Sequence, residues 1–316
     1  MIKRILFATD FSRWAKRAEE YACALAGSWN SSLTVLSVAE FPPGLNPDYP
    51  VNQQYLADVL KQTSSQLTDF KVRAEQKGLA ITTRVATGIP SEEAITAAGA
   101  EDSDLVVVGT KGKTGLAHVL LGSTAERIIR GAPCPVLTVR SESADGEGAL
   151  SKPVKVERIL VPLDFSDCSF DALEYAVVVA QQAKASLMLL HVVEPVSYGL
   201  DFSFTNIGTR EQVRSTWMKR LEELTSALKA AHVPAESQLR GGLPSDSILD
   251  SAQALPCDLI VMGTHGRRGI SHVLSGSVAE AVLRKAQCPV LTVRSLKFGP
   301  GHSRVVPAAV FSPRHL

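Results

Sequence analysis

Short runs that are apolar almost throughout alternate along this chain with longer segments in which apolar residues recur at helical spacing. In the first half the β-branched apolar runs predict five strands, ILFAT, SLTVLSV, ITTRVAT, DLVVVG and PVLTVR. The segments between them predict helices near residues 13–28, 53–77, 90–99 and 123–131. Apolar strands that are separated by helices indicate a parallel sheet with helices packed on both faces. We therefore predict a doubly wound α/β domain.

The same pattern occurs a second time at a constant offset. ILFATDFS from residue 5 corresponds to ILVPLDFS from residue 159, and the passages at 109–140 and 263–294 have glycines at matching places. This period is longer than the 20 to 50 residues of solenoid repeats, so each copy should be a complete domain. We assign domain 1 to residues 1–140 and domain 2 to residues 157–294.

Two segments lie outside the repeat. Residues 141–156 are rich in Gly, Ser and charged residues, which is typical of a linker. Residues 295–316 have no counterpart in the first copy, and their prolines argue against a regular element. We expect this C-terminal tail to be loosely held.

The position of a ligand site follows from the topology. Five strands with right-handed crossovers and helices on both faces predict the strand order 3-2-1-4-5 in each Rossmann-like sheet. Ligands of such sheets bind at the carboxyl ends of the strands, where the order reverses between strands one and four. The segments TDFS after strand one and GTKG after strand four would meet there.

Composition and charge narrow the class of protein. The chain has 33 basic and 32 acidic residues, so no strong field favours nucleic acid or an anionic membrane. The opening MIKRILFATD is too short an apolar run for a signal peptide or a membrane span. The five cysteines have neither a CxxC spacing nor a zinc pattern, and we interpret them as small buried side chains. We expect a cytoplasmic protein.

The glycine-rich passages suggest an anion site. Gly109 and Gly112, like Gly263 and Gly266, would let the backbone turn and approach a ligand closely. Ser123 precedes Glu126 by three residues, as Ser277 precedes Glu280, which is the spacing of a capping box that opens a helix. Helix N-termini bind anions, and nearby cations strengthen that interpretation: Lys111, Lys113, Arg267 and Arg268. The alternative is that the glycines only form turns and the serines only cap helices.

Other motifs are excluded or ambiguous. The Walker A pattern fails because Val107 stands where its first glycine is needed, and no G-x-G-x-x-G follows the first strand. Asp10 and Asp164 follow the first strand of each copy, where an aspartate can bind ribose or a metal-bound water, or cap the next helix. His118 and His272 lack a second metal ligand at suitable spacing, which favours packed or surface histidines.

The repeated passages resemble the nucleotide-binding branch of the universal stress protein family. Its signature is Gly, two residues, Gly, nine residues, Gly and then Ser or Thr. Gly109, Gly112, Gly122 and Ser123 fit this signature, as do Gly263, Gly266, Gly276 and Ser277. The resemblance covers residues 3–140 and 157–294. The segments ATD and PLD each differ by one residue from the PTD typical of the family, which bears on the relative affinity of the two sites.

The resemblance implies one adenine nucleotide site in each domain. Asp10 and Asp164 would meet the adenosine moiety, Val38 and Val192 would lie on the adenine side, and the phosphates would be held by backbone N–H groups. The implied set comprises Ala8, Thr9, Asp10, Val38, Val108, Gly109, Gly112, Gly122, Ser123 and Thr124 in domain 1, and Pro162, Leu163, Asp164, Val192, Met262, Gly263, Gly266, Gly276, Ser277 and Val278 in domain 2. The implied cofactor is ATP or another adenine nucleotide, with Mg²⁺ as a companion.

Three functions are open at this point. The first is a nucleotide-binding regulatory protein of the stress response. The second is a slow ATP hydrolase or phosphotransferase, although the loops offer cations and no general base. The third is an adaptor whose vestigial sites only preserve the fold. The family also implies an intramolecular pseudo-dimer, in which the two CPVLTVR strands pair antiparallel, and allows a further homodimer.

Overall fold

The computed structural model describes residues 1–40, 49–111, 121–141, 153–194, 207–265, 276–294 and 304–305, with only the backbone for 207–210. The chain divides into two compact units, Met1–Lys155 and Val156–Leu316. No helix in this part of the chain combines the length and the apolar character that a bilayer crossing requires.

The first unit alternates strands and helices as its apolar pattern predicts. A short 3-10 helix at Arg13–Ala15 precedes α1. The strands and helices are β1 (Arg4–Ala8), α1 (Lys16–Trp29), β2 (Ser32–Ala39), α2 (Pro50–Glu75), β3 (Ile81–Thr87), α3 (Pro90–Ala100), β4 (Leu105–Gly109), α4 (Ser123–Gly131) and β5 (Val136–Val139).

The first sheet has the strand order β3-β2-β1-β4-β5, and each neighbouring pair of these strands is parallel. This confirms the predicted order 3-2-1-4-5. Ala8 at the end of β1 pairs with Leu36 of β2 on one side and with Val108 of β4 on the other. The reversal of strand order therefore brings the carboxyl ends of β1 and β4 together, as a doubly wound sheet requires.

The second unit repeats this architecture. Its elements are β6 (Arg158–Pro162), α5 (Asp167–Ala183), β7 (Ser186–Val193), α6 (Ile207–Ala230), β8 (Ala235–Gly241), α7 (Pro244–Ala254), β9 (Leu259–Gly263), α8 (Ser277–Lys285) and β10 (Val290–Val293). Its strands lie in the corresponding order β8-β7-β6-β9-β10, again with parallel ladders. The α/β class and the tandem arrangement are thus confirmed.

The central strands form the core because helices cover both of their faces. Leu6 and Phe7 of β1 and Val106 and Val107 of β4 have no exposed surface. On β3 exposed and buried residues are mixed, since this strand lies at the end of the order and is covered less completely. The continuous apolar runs that identified the strands are therefore a consequence of burial on two sides.

Two residues of the C-terminal tail contact α5. Arg304 Nη2 lies 3.1 Å from Asp171 Oδ1, and the backbone N–H of Val305 donates to Glu174 Oε2 at 3.2 Å. Asp171 and Glu174 correspond to Arg17 and Glu20 of the first unit. There Arg17 Nη1 donates to Glu20 Oε2 at 2.6 Å. The expectation of a loosely held tail is wrong at these two residues, because the tail supplies a cation that α5 lacks where α1 has Arg17.

We expect Arg304→Ala to lower the free energy of unfolding of the second unit by about 1–2 kcal/mol, because it removes a charge-assisted hydrogen bond to a buried carboxylate. The Asp171 side chain is 7% exposed, so water replaces the lost partner poorly. Urea denaturation with hydrogen exchange would measure the loss and assign it to a unit. Arg214→Ala, on an exposed position of α6, is the matched control. Equal stability of the two variants would contradict the expectation.

Candidate functional site

The predicted site residues after β1 and β4 are brought together at the carboxyl edge of the first sheet. The pairing of Ala8 with Val108 places Thr9 and Asp10 beside Gly109. In the second unit β6 pairs with β9, which brings Asp164 and Gly263 to the same edge of their sheet. Several predicted residues at these strand ends are buried: Val108, Pro162, Leu163 and Met262.

Asp10 shapes the turn between β1 and α1. One carboxylate oxygen, Oδ1, accepts a hydrogen bond from the backbone N–H of Ser12 at 2.9 Å. Thr9 Oγ1 similarly accepts from the N–H of Phe11, which adopts a left-handed conformation with φ of 55°. The Asp10 bond forms an Asx turn before the helix. The N-cap residue of the 3-10 helix is Ser12, so Asp10 does not cap that helix. The Asp10 bond also fixes the carboxylate in place, and a carboxylate can accept bonds at both oxygens.

The second unit builds the same turn with one more bond. Asp164 Oδ1 accepts from the backbone N–H of Ser166 at 3.0 Å and from its hydroxyl at 2.6 Å. Phe165 is left-handed, with φ of 60°, like Phe11. Two bulky residues at positive φ in equivalent turns indicate that tertiary packing enforces this conformation, since side chains disfavour it.

The serine of this turn differs between the copies. Ser166 Oγ caps α5 by accepting from the N–H of Ser169 at 3.2 Å while it donates to Asp164. Ser12 Oγ is buried and has no hydrogen-bond partner among the described residues. A buried hydroxyl without a partner is uncommon in folded proteins and suits contact with a bound molecule.

Gly109 and Gly263 are required by contacts within the protein. A Cβ added to Gly109 would lie 3.3 Å from the carbonyl oxygens of Trp14 and Lys111. At Gly263 it would lie 2.8 Å from Cys168 Sγ and 3.0 Å from the Cys168 carbonyl oxygen. The side of each glycine where a Cβ would stand therefore faces the chain at the start of the first helix of its unit. This tight packing holds the end of β4 or β9 against that turn.

The helix after each glycine-rich loop begins where the sequence predicts, but the cap is different. α4 begins at Ser123, and its N-cap residue is Gly122, with no side-chain cap bond. The predicted capping box is therefore wrong, since Ser123 is not the N-cap residue and no side chain caps this helix. A capping serine must precede the first helical residue, and Ser123 is itself helical. The same holds in α8, where Gly276 is the N-cap residue before Ser277.

Gly122 anchors the start of α4 to the end of β4. Its N–H donates to the carbonyl of Thr110 at 2.7 Å, and its own carbonyl accepts from Glu126 N–H at 3.0 Å. The N–H groups of Ser123 and Thr124 precede the first helical bond and so have no acceptor within the helix. Gly276 makes the equivalent 2.7 Å bond to Thr264, which leaves Ser277 and Val278 in the same position. Each unit thus presents a helix N-terminus beside the end of a strand.

Lys111 is the predicted cation that the structure describes at this edge. Its Nζ lies 5.1 Å from the centre of the Trp14 ring, and the guanidinium of Arg13 lies 4.6 Å from the same ring. No pattern in the sequence singles out Trp14 or Arg13. The remaining loop residues lie outside the described part of the chain: Gly112, Lys113, His118, Gly266, Arg267, Arg268 and His272.

The neighbouring strands contribute Val38 and Val192, which are half-buried near the carboxyl ends of β2 and β7. Beside Val192 the second unit has an aromatic cluster that sequence reasoning missed. His191 Nδ1 donates to the carbonyl of Leu163 at 2.7 Å, and its ring lies 4.6 Å from that of Trp217. Phe165 stacks on Trp217 at 5.0 Å, with Arg220 over both rings. The first unit has Ser37 and Thr63 at the corresponding positions, so the two edges differ in shape.

Two further observations concern metals and cavities. Within the described ranges, no group of three or more His, Cys, Asp or Glu side chains converges as a metal site. An open depression of about 430 Å³ lies at the opposite, amino-terminal edge of the first sheet, lined by residues that include Arg4, Thr34 and Glu101. None of the predicted site residues lines it.

Comparison with known proteins identifies the family. The model of the universal stress protein family matches residues 1–140 and 155–294. A universal stress protein of Methanocaldococcus jannaschii is 33% identical over 141 residues, which cover 44% of this chain and 83% of that protein. A universal stress protein of Mycobacterium tuberculosis is 28% identical over 302 residues, or 92% of this chain and 96% of that protein.

A solved structure supports the fold. The crystal structure of a universal stress protein from Archaeoglobus fulgidus aligns with 93% of this chain and 97% of its own, at 20% identity and a TM-score of 0.67. At this identity the likeness concerns the fold alone. With the family matched in both halves and over most of the length, the chain belongs to the universal stress protein family, as a tandem member with two domains.

Proposed function

We propose that each unit binds one adenine nucleotide, ATP or a close relative, at the carboxyl edge of its sheet, and that the chain is a regulatory protein of the stress response. One observation carries the proposal: both units join an aspartate turn, a tightly packed glycine and a helix N-terminus at one edge. In the first unit these are Asp10, Gly109 and Gly122. A helix N-terminus favours phosphate, while a strand-end carboxylate suits ribose hydroxyls.

The residues present fit such a ligand. The N–H groups of Ser123 and Thr124 can donate to phosphate oxygens, because no helical carbonyl accepts from them. The Asp10 carboxylate, held by the Ser12 N–H at 2.9 Å, can accept from a hydroxyl without moving. The buried Ser12 Oγ can complete its hydrogen bonding in the same place. Val38 and Val192 would offer apolar contact to a base.

These residues would bind and orient a nucleotide, and none of them is placed as a general base for its hydrolysis. Mg²⁺, if it accompanies ATP, would be carried on the phosphates. In the second unit the Ser166 hydroxyl is already paired with Asp164, and the cluster around Trp217 lies nearby. We therefore expect the two sites to have unequal affinity.

Mass analysis of the molecules that the purified chain releases on denaturation tests the proposal. We expect ATP, with up to two molecules per chain after incubation with the nucleotide. Release of ADP together with measurable turnover would favour the hydrolase. If no nucleotide is released and calorimetry detects no binding of added ATP, the proposal fails and the adaptor function remains.

Lys111 allows a sharper test of where the phosphates lie. We expect Lys111→Ala to weaken ATP binding in the first unit by about tenfold and to leave adenosine binding nearly unchanged, because an ammonium acts on charge. Calorimetry with both ligands measures the difference.

Lys77→Ala is the matched control for this test, because Lys77 is exposed near the amino-terminal end of β3, at the opposite edge of the sheet. It should change neither affinity. Equal losses of ATP and adenosine affinity in Lys111→Ala would remove this lysine from the phosphate site.

Two further features belong to the proposal. The final strands β5 and β10 would pair antiparallel and join the two units as a pseudo-dimer, and the chain would also form a homodimer. A strand at the end of a five-stranded sheet readily adds another strand, which supports this pairing. We also propose that the protein acts in the cytoplasm.

A further inference from the structure

Two cysteines of the second unit lie side by side at the amino-terminal edge of the sheet. Cys257 stands two residues before β9, and Cys288 stands two residues before β10. Their Sγ atoms are 3.6 Å apart, and both residues are half-buried. This edge is opposite the proposed nucleotide site, so the pair is not explained by it.

The backbone around the two cysteines suits a disulfide. β9 and β10 are neighbouring parallel strands with Ile260 opposite Val290, and the N–H of Ile260 donates to the carbonyl of Pro289 at 3.0 Å. In this register Cys288 is opposite Asp258, one residue from Cys257. A spacing of about 4.8 Å between strands and a rise of about 3.3 Å per residue put the two Cα atoms roughly 6 Å apart, which lies within the separations of about 4.4–6.8 Å found in disulfides. Side-chain rotation alone could therefore bring the sulfurs from 3.6 Å to bonding distance.

The surroundings give the two thiols different roles. The pKa of Cys257 is lowered by its hydrogen bond with Cys288, against the opposing effects of burial and the Asp258 carboxylate. The same hydrogen bond, together with burial, raises the pKa of Cys288. A thiolate is the nucleophile in thiol–disulfide exchange, so this difference supports Cys257 as the attacking residue and Cys288 as the resolving one.

Cys23 and Cys134 lack these features, and Cys168 Sγ instead lies 3.4 Å from the carbonyl oxygen of Val293. The counterparts of Cys257 and Cys288 in the first copy are Ser103 and Cys134, so that copy has one thiol at this place. Burial raises the pKa of Cys134 to about 12, and burial with the Glu19 carboxylate raises that of Cys23 to about 11. Both should stay protonated and unreactive near neutral pH.

We propose that Cys257 and Cys288 form a reversible dithiol–disulfide site that is oxidised by small disulfides such as oxidised glutathione. The Cys257 thiolate attacks one sulfur of the small disulfide, whose S–S bond breaks and releases one thiolate. Cys288 then gives its proton to solvent and attacks the Cys257 sulfur, which releases the second small thiolate. The protein loses two hydrogen atoms, and the small disulfide is reduced to two thiols.

A disulfide between Cys257 and Cys288 would close a loop of the chain within the second unit. It would close the segment 257–288, which contains β9, the whole glycine-rich loop and α8. A closed loop restricts the unfolded chain, so oxidation should stabilise this segment of the second unit and leave the first unit as it was. The redox state would thus distinguish two halves that otherwise share one fold.

Equilibration of the reduced chain with excess oxidised glutathione, followed by alkylation and peptide mass spectrometry, tests the proposal. We expect a peptide pair linked through Cys257 and Cys288, lighter by two hydrogen atoms, while Cys23 and Cys134 remain alkylatable. Short exposure of the reduced chain to iodoacetamide should label Cys257 at least about tenfold faster than Cys134.

Variants separate the two steps. Cys288→Ser should accumulate a stable mixed disulfide with glutathione on Cys257, and Cys257→Ser, which introduces the residue of the first copy, should form no intramolecular disulfide. Circular dichroism checks that both variants fold. If one does not fold, the presence or absence of the linked peptide in the unmodified chain tests the proposal. Two results would overturn the proposal. One is full alkylation of both Cys257 and Cys288 after equilibration, and the other is a mixed disulfide that persists while Cys288 is present. None of these readouts depends on nucleotide binding.

Discussion

Replacing Gly122 by valine is expected to abolish nucleotide binding in the first unit and to leave the second working, and Gly276→Val should do the reverse. The reason lies in the start of α4, where a Cβ on Gly122 would stand 3.3 Å from the Thr110 carbonyl oxygen. That oxygen also accepts the Gly122 N–H at 2.7 Å, so a branched side chain must displace the helix start. Losing two bonds of about 1.5–3 kcal/mol to phosphate lowers affinity by roughly a hundredfold or more.

The physical reason is contact and not backbone conformation. Gly122 has φ of −75° and Gly276 has φ of −56°, which any residue can adopt. Gly122 provides room at the point where the start of α4 meets the carbonyl of Thr110.

Calorimetry of both variants measures the effect, and the stoichiometry should fall from two nucleotides to one. Gly99→Val is the matched control, because a Cβ there meets only Pro133 Cγ at 4.0 Å. Far-UV circular dichroism must stay native for the comparison to count. If both site variants stay folded and still bind two nucleotides at unchanged affinity, the phosphates do not lie at these helix starts.

The second large effect is expected at the aspartates that begin the motifs DLVVVGT and DLIVMGT. Asp104 Oδ2 accepts from the backbone N–H groups of Lys3 and Arg4 at 2.8 and 2.9 Å. Asp258 Oδ2 binds Glu157 and Arg158 at the same two distances. The Asp104 carboxylate thereby joins the start of β4 to the start of β1, and the Asp258 carboxylate joins the start of β9 to the start of β6. We expect Asp104→Ala and Asp258→Ala each to lower the free energy of unfolding by about 2–3 kcal/mol.

Urea denaturation gives this loss, and hydrogen exchange assigns it to the unit that carries the change. The Asp104 side chain is 31% exposed, so the expected value lies toward the lower end for two bonds to a charged group. Asp104→Asn keeps an acceptor without the charge and should lose about half as much. A loss below about 0.5 kcal/mol in both alanine variants would show that water replaces the carboxylate fully.

Much of the fold was accessible from local pattern. The apolar runs gave the strands because both faces of a central parallel strand are buried, and the start of α4 at Ser123 was predicted to the residue. The cap was wrong because spacing alone does not tell whether a serine is the last residue before a helix or the first within it. The glycine spacing likewise located the loop, while the packing of Gly109 against Trp14 depends on a turn about ninety residues earlier.

The sequence by itself determined the duplication, the α/β class, the strand order and the edge where the candidate site lies, since these follow from periodicity and from rules of connection. Only the tertiary structure decided which distant groups meet: Asp104 with the N–H groups of Lys3 and Arg4, Arg304 with Asp171, and Cys257 with Cys288. A local pattern records how much of a residue is buried and at what period. The partner of a particular side chain depends on the position of other elements in space, which only the folded chain fixes.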